Sequence, residues 1–108
     1  MTLLDHEIIS ALRELGFKNN GPRMLIMDLR RGEDRYETKL LVYVNQPNRI
    51  HIFQKRFFGP TNISKENLLK SNSPSAATQY LEIEEYLLGK FWYKQTEGYN
   101  KRKVVEYL

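Results

Sequence analysis

Lys94, Lys101, Arg102 and Lys103 lie close together near the C-terminal end of the chain, with Tyr99 and a Glu97-Gly98 pair among them. Clustered ammonium and guanidinium groups neutralise phosphates. Such contacts position a protein on nucleic acid and supply most of its sequence-independent affinity. Tyr99, beside the Gly98 turn, is placed to stack on a base. Upstream, Ser75, Thr78 and Gln79 form the polar arc at the start of a helical stretch, 73–89. Small neutral hydrogen-bonding groups there suit base edges, and a Gln amide can pair with adenine through two atoms. These eight residues are the expected nucleic-acid-binding set, with phosphate contacts from the cations and base contacts from the helix.

A second group is Asp28, Glu37 and Lys39, an Asp-x8-Glu-x-Lys pattern. Glu37 and Lys39 are two residues apart, so on a strand they share one face. Elsewhere the chemistry thins out. His6 and His51 are the only histidines and Cys is absent, so neither a zinc set nor a disulfide can be assembled. Both histidines are expected to be solvated or hydrogen-bonded. There is no Gly-rich phosphate loop and no nucleophile elbow. No catalytic residue, metal or cofactor is assigned, and a non-enzymatic role is the expectation.

Caps, turns and periodicity give the elements that must carry these groups. Residues 2–15 read as a helix. Thr2 with Asp5 has the form of a capping box, Ile8, Leu12 and Leu15 recur on one side, and Gly16 stops it. Residues 24–29 and 36–44 read as strands joined across Arg31-Gly32-Glu33-Asp34. Residues 49–58 fit two periods: Ile50, Phe53 and Phe57 have helical spacing, while Ile50-His51-Ile52-Phe53 suits a third meander strand. We read a helix, because the following residues need one in front of them. Ser64 caps a short helix to about Lys70, with Ile63 and Leu68 as a hydrophobic staple. Ser73 is the N-cap and Pro74 the first residue of the next helix, which Gly89 ends. That helix buries Ala76, Ala77, Tyr80, Leu81, Leu87 and Leu88, with Ile83 at the edge; Glu84 projects into the same arc and needs a basic partner. Two strands around Glu97-Gly98 complete a basic hairpin.

Helix, turn, helix, Gly and basic hairpin, carried by Ile63-Ser64-Lys65-Glu66-Asn67-Leu68-Leu69, Ser73 to Leu81, Gly89 and the cations after it, resembles the winged helix-turn-helix DNA-binding domains. The resemblance covers residues 48–108. It implies that 49–58, 64–70 and 74–88 are the first, second and recognition helices, and that the hairpin is a wing on the sugar-phosphate backbone. It implies double-stranded nucleic acid as the partner and a small regulator of transcription or replication as the function. Residues 1–47 lie outside it and are expected to serve homodimerisation, since such regulators often pair on two half-sites. The Asp28, Glu37 and Lys39 pattern resembles the restriction-endonuclease-like nuclease core. That alternative implies Mg²⁺ held by the carboxylates and a water activated for phosphodiester attack. A further alternative is an interaction module, an inhibitor or assembly factor, whose 24–44 hairpin offers an edge strand to its partner.

Composition fits one domain over residues 1–108. That length suffices for a single core, and 41% hydrophobic with 28% charged content argues against disorder. The fold class expected is α+β, an N-terminal helix and β-hairpin followed by a winged-helix-like helical unit with a C-terminal hairpin wing. Residues 90–108 carry five basic side chains against Glu97 and Glu106, so they hold three of the four net positive charges, which points to a polyanion. Asp5, His6 and Glu7 precede any apolar run, unlike a signal peptide, and no apolar run is long enough to span a bilayer. The expected location is the cytoplasm, or the nucleus in a eukaryote, with no membrane partner.

Overall fold

The computed structural model describes residues 5–90 together with Lys94 and Gln95. Helix α1 (Asp5–Leu15) leads into a meander of five antiparallel strands, β1 (Lys18–Asn19), β2 (Met24–Asp28), β3 (Glu37–Tyr43), β4 (Arg49–Arg56) and β5 (Gly59–Ile63). Helices α2 (Lys65–Lys70) and α3 (Pro74–Lys90) follow, and β6 (Lys94–Gln95) runs parallel to the start of β4. The class is α+β. Among the described residues no helix is long and apolar enough to cross a membrane.

Local chemistry sets the helix ends. After α1, the Gly16 N–H donates to the Arg13 carbonyl at 3.0 Å and the Phe17 N–H to the Leu12 carbonyl at 3.1 Å. This pairing satisfies carbonyls that the helix leaves open, and the two outer partners, Leu12 and Phe17, are both buried in the core. The Thr2 capping box lies outside the described residues. Ser64 caps α2 as expected, its hydroxyl accepting the Asn67 N–H at 3.1 Å.

Alternation along the strands gives the sheet two faces. Leu25 pairs with Val42, and Leu40 with Ile52, which pairs in turn with Ile63. These residues and Ile50 form the inner face. Ile8 and Leu12 of α1, Leu68 of α2, and Ala76, Tyr80, Ile83 and Leu87 of α3 close over it in one buried cluster.

Three expectations are corrected. Residues 49–58 are not a helix but strand β4 and the turn after it. Ile50, Ile52 and Gln54 are buried on one face while His51, Phe53 and Lys55 face the other, so the period of two wins. Pairing decided the matter, because β4 satisfies the backbone of both β3 and β5. Gly89 does not end α3, which runs on to Lys90; a lone glycine costs a helix only about 1 kcal/mol relative to Ala. Leu81 and Leu88, placed in the apolar arc of that helix, are exposed. Glu84 does find its cation: the Lys65 ammonium of α2 donates to it at 2.7 Å in a half-buried pair.

Candidate nucleic-acid interface

Asp34, in the loop between β2 and β3, sets the start of α3. Its buried carboxylate accepts the Ser75 N–H at 2.9 Å and the Ala76 N–H at 2.8 Å. Both amides belong to the first turn, where no helical carbonyl can reach them, and negative charge there suits the helix dipole. The Ser73 side chain, expected in that role, is used elsewhere. Its hydroxyl lies 3.1 Å from Gln54 Nε2 and 3.0 Å from Ser71 Oγ, and only its carbonyl serves α3, accepting the Ala77 N–H. Gly32 permits the loop's close approach: φ is +52° and a Cβ there would sit 2.5 Å from Ser75 Oγ.

Gln54 links the interior to the end of the sheet. It is fully buried on the inner face of β4, with its Nε2 facing the hydroxyls of Thr38, Ser71 and Ser73 at 3.3, 2.9 and 3.1 Å. The amide is fixed by those groups, and its Oε1 accepts from Arg56 Nε at 3.2 Å and Nη2 at 2.8 Å. Arg56 is thereby held 4.8 Å from the centre of the Tyr36 ring, and Arg35 lies over the same ring at 5.2 Å. A guanidinium over an aromatic face gains about 0.5–1 kcal/mol when exposed. Among the described residues neither Arg35 nor Arg56 meets a carboxylate. Lys55, the residue before Arg56, is exposed on the opposite face of β4.

Past Arg56 the chain turns through Phe57 and Phe58, which are 92% and 97% exposed with their rings edge-to-face at 5.0 Å. Both keep negative φ, while Gly59 takes φ +107°. The unusual backbone conformation of this turn therefore falls on Gly59. Two bare phenyl rings do nothing for the turn, and contiguous exposed apolar surface of this kind marks contact sites.

The expected binding residues are distributed differently. Ser75 and Thr78 line a cleft of about 660 Å³ with Arg30, Arg31, Gly32, Pro74 and Glu82. Gln79 is half-buried and its Oε1 accepts the Arg30 N–H at 2.6 Å, so its amide is already engaged with the β2–β3 loop. Arg30 also pairs with Glu82 at 3.4 Å. Lys94 contributes backbone to β6 opposite Arg49. Tyr99, Lys101, Arg102 and Lys103, and the hairpin they were assigned to, lie outside the described residues. Sequence reasoning passed over Arg35, Arg56, Phe57 and Phe58. The available signal was Lys55-Arg56-Phe57-Phe58 immediately before Gly59-Pro60, an aromatic pair at a turn position.

The outer face of the sheet is ordered in rows. Ile26, Leu41 and His51 make one; Asp28, Lys39, Phe53 and Asn62 the next; Glu37, Lys55 and Pro60 the last. Asp28, Glu37 and Lys39 thus share a face and, with Leu29, Arg31 and Thr38, line a pocket of about 310 Å³. Lys39 pairs with Asp28 at 3.6 Å, and Glu37 with Arg31 at 3.6 Å. No group of three or more His, Cys, Asp or Glu side chains comes together among the described residues. His51 lies between Tyr43, edge-on at 5.3 Å, and Phe53, stacked at 6.4 Å. Against expectation its Nε2 is buried with no hydrogen-bond partner among the described residues. Burial, and then the charge of Arg49, hold its pKa below the ordinary 6.5. Compared with protein-family models, with curated proteins and with solved structures, the chain matches none.

Proposed function

We propose that this chain is a small nucleic-acid-binding protein that engages its partner with the basic, aromatic end of the sheet. The observation that carries the reading is the Arg35, Tyr36 and Arg56 stack. Two like charges share one ring, Gln54 holds one of them in place, and no carboxylate neutralises either among the described residues. Guanidinium groups suit phosphate oxygens, and these two are held side by side without a carboxylate among the described residues. We rest the proposal on the sheet end because Gln79 already bonds the β2–β3 loop and residues 49–58 are strand.

The test is binding of labelled random-sequence DNA, single-stranded and duplex, across a salt series. Binding should weaken as salt rises, and Arg56→Gln should reduce the salt slope by roughly one phosphate equivalent. Absence of binding to either form at low salt would overturn the proposal.

A second reading is favoured by one observation: Asp28, Glu37 and Lys39 lie on the same face at the same end of the hairpin. A nuclease using them predicts Mg²⁺-dependent nicking that disappears in Glu37→Gln. Equal nicking by the variant would remove this alternative.

A further inference from the structure

The outer side of β4 presents His51, Phe53 and Lys55 in succession and ends at the bare Phe57 and Phe58 tip; Tyr43, 39% exposed, stands beside His51. We infer that this line is a track for single-stranded nucleic acid, with bases lying on Tyr43, Phe53 and the tip phenylalanines and phosphates passing Lys55 and then, around the end of the sheet, Arg56 and Arg35, which stand on the Gln54 side of β4. The inference rests on the nucleic-acid reading above and names its substrate class.

Spacing and shape argue for a single strand, and charge for a phosphate backbone. Same-face residues on a strand recur about every 6.7 Å, roughly twice the ~3.4 Å rise per nucleotide of a stacked helix. A chain pulled out of its stack can follow that repeat. A duplex buries its base faces and offers only edges and phosphates, so it cannot lay bases on an open sheet, whereas an unpaired strand can. The two outer carboxylates at this end are already neutralised, Asp28 by Lys39 and Glu37 by Arg31. Lys55, Arg35 and Arg56 keep their charge available to phosphate, since none has a carboxylate partner among the described residues. The two tip rings, edge-to-face at 5.0 Å, can be received between unstacked bases.

The experiment is fluorescence anisotropy with a labelled oligo-dT of roughly 16 nucleotides, the upper site size for a single-strand-binding fold. A duplex of the same length and vesicles of anionic lipid serve as the other arms. The single strand should bind at least about tenfold tighter than the duplex. Phe58→Ala and Phe57→Ala should each weaken single-strand binding by on the order of tenfold while duplex binding stays put. Both side chains are almost fully exposed, so both variants should fold, and an unchanged thermal melt checks that. Phe53→Ala is read only alongside them, because its ring is half-buried. Equal affinity for single strand and duplex, or single-strand binding indifferent to both tip substitutions, overturns the track and leaves the proposed function standing. Loss of all nucleic-acid binding at low salt removes both. Tip-dependent capture by vesicles without preference for the single strand assigns the tip to a lipid surface and overturns the inference.

Discussion

The two faces of the sheet are built from the same alternating strands and obey different rules. Along the centre of the inner face side chains are either apolar and closed over by a helix or, like Thr38 and Gln54, held in a hydrogen-bond network. On the outer face cations, carboxylates, aromatics and aliphatics share rows, and His51 keeps a buried nitrogen without a partner among the described residues. The inner face is settled by folding. Folding leaves the outer face underdetermined, which is why the proposed partner is placed there.

The largest expected difference between the faces is in packing. Leu40, fully buried, and Leu41, its half-buried neighbour on the opposite side of β3, differ only in which way they point. Leu40→Ala should cost about 2–5 kcal/mol of stability, as truncations in closed cores do. Leu41→Ala should cost about 1 kcal/mol, the central value for point changes. Urea unfolding of both variants decides it, and equal losses would mean that the outer face is covered as fully as the inner one.

The cap on α3 comes next. Asp34→Ala removes the acceptor of two helical amides and should lower stability by about 1–2 kcal/mol. Glu33→Ala, one residue earlier and exposed, should stay within about 0.5 kcal/mol. Matching melts for the two would show that the carboxylate contributes nothing to the helix.

The smallest effect sharpens the outer face alone. His51 has a pKa lowered in the fold, so the neutral ring is the form that folding favours. The unfolded chain then binds more protons just below its own pKa, and stability is present above about pH 6.5 and falls as pH drops through that value. His51→Gln should lose this part of the acid sensitivity. Urea midpoints taken at about pH 7.5 and about pH 5.5 should separate for the native chain more than for the variant. An identical separation would locate the titration elsewhere.

What could be read in the sequence was local. The α1 stop at Gly16, the 24–44 hairpin and the Ser64 cap each depend on residues within a few positions of one another, and each is found. β4 was missed because Ile50, Phe53 and Phe57 satisfy a helical period by accident. In the fold Ile50 is buried, Phe53 points the other way and Phe57 is bare. Its true state is set by two neighbouring strands, one of them later in the chain. The Asp34 cap bridges 41 residues and the Gln54 cluster joins β3, β4 and the α2–α3 turn, and nothing in their immediate sequence marks either. The candidate site was legible as a basic, aromatic character but not in its location. The residues chosen for it lie in α3, in β6 or outside the described residues, whereas Arg35 and Arg56 meet on the Tyr36 ring only because the β2–β3 loop and the end of β4 come together.

Because the acceptor for the first turn of α3 is supplied by a loop far earlier in the chain, that turn has a history as well as a geometry. Its two amides gain their partner only when the β2–β3 loop and α3 have met, a closure with a loop-entropy cost. The start of α3 is therefore expected to form late in folding. Hydrogen exchange at Ser75 and Ala76 should follow separation of the loop from the helix rather than ordinary end-fraying, so these amides report on whether the two halves of the chain are joined.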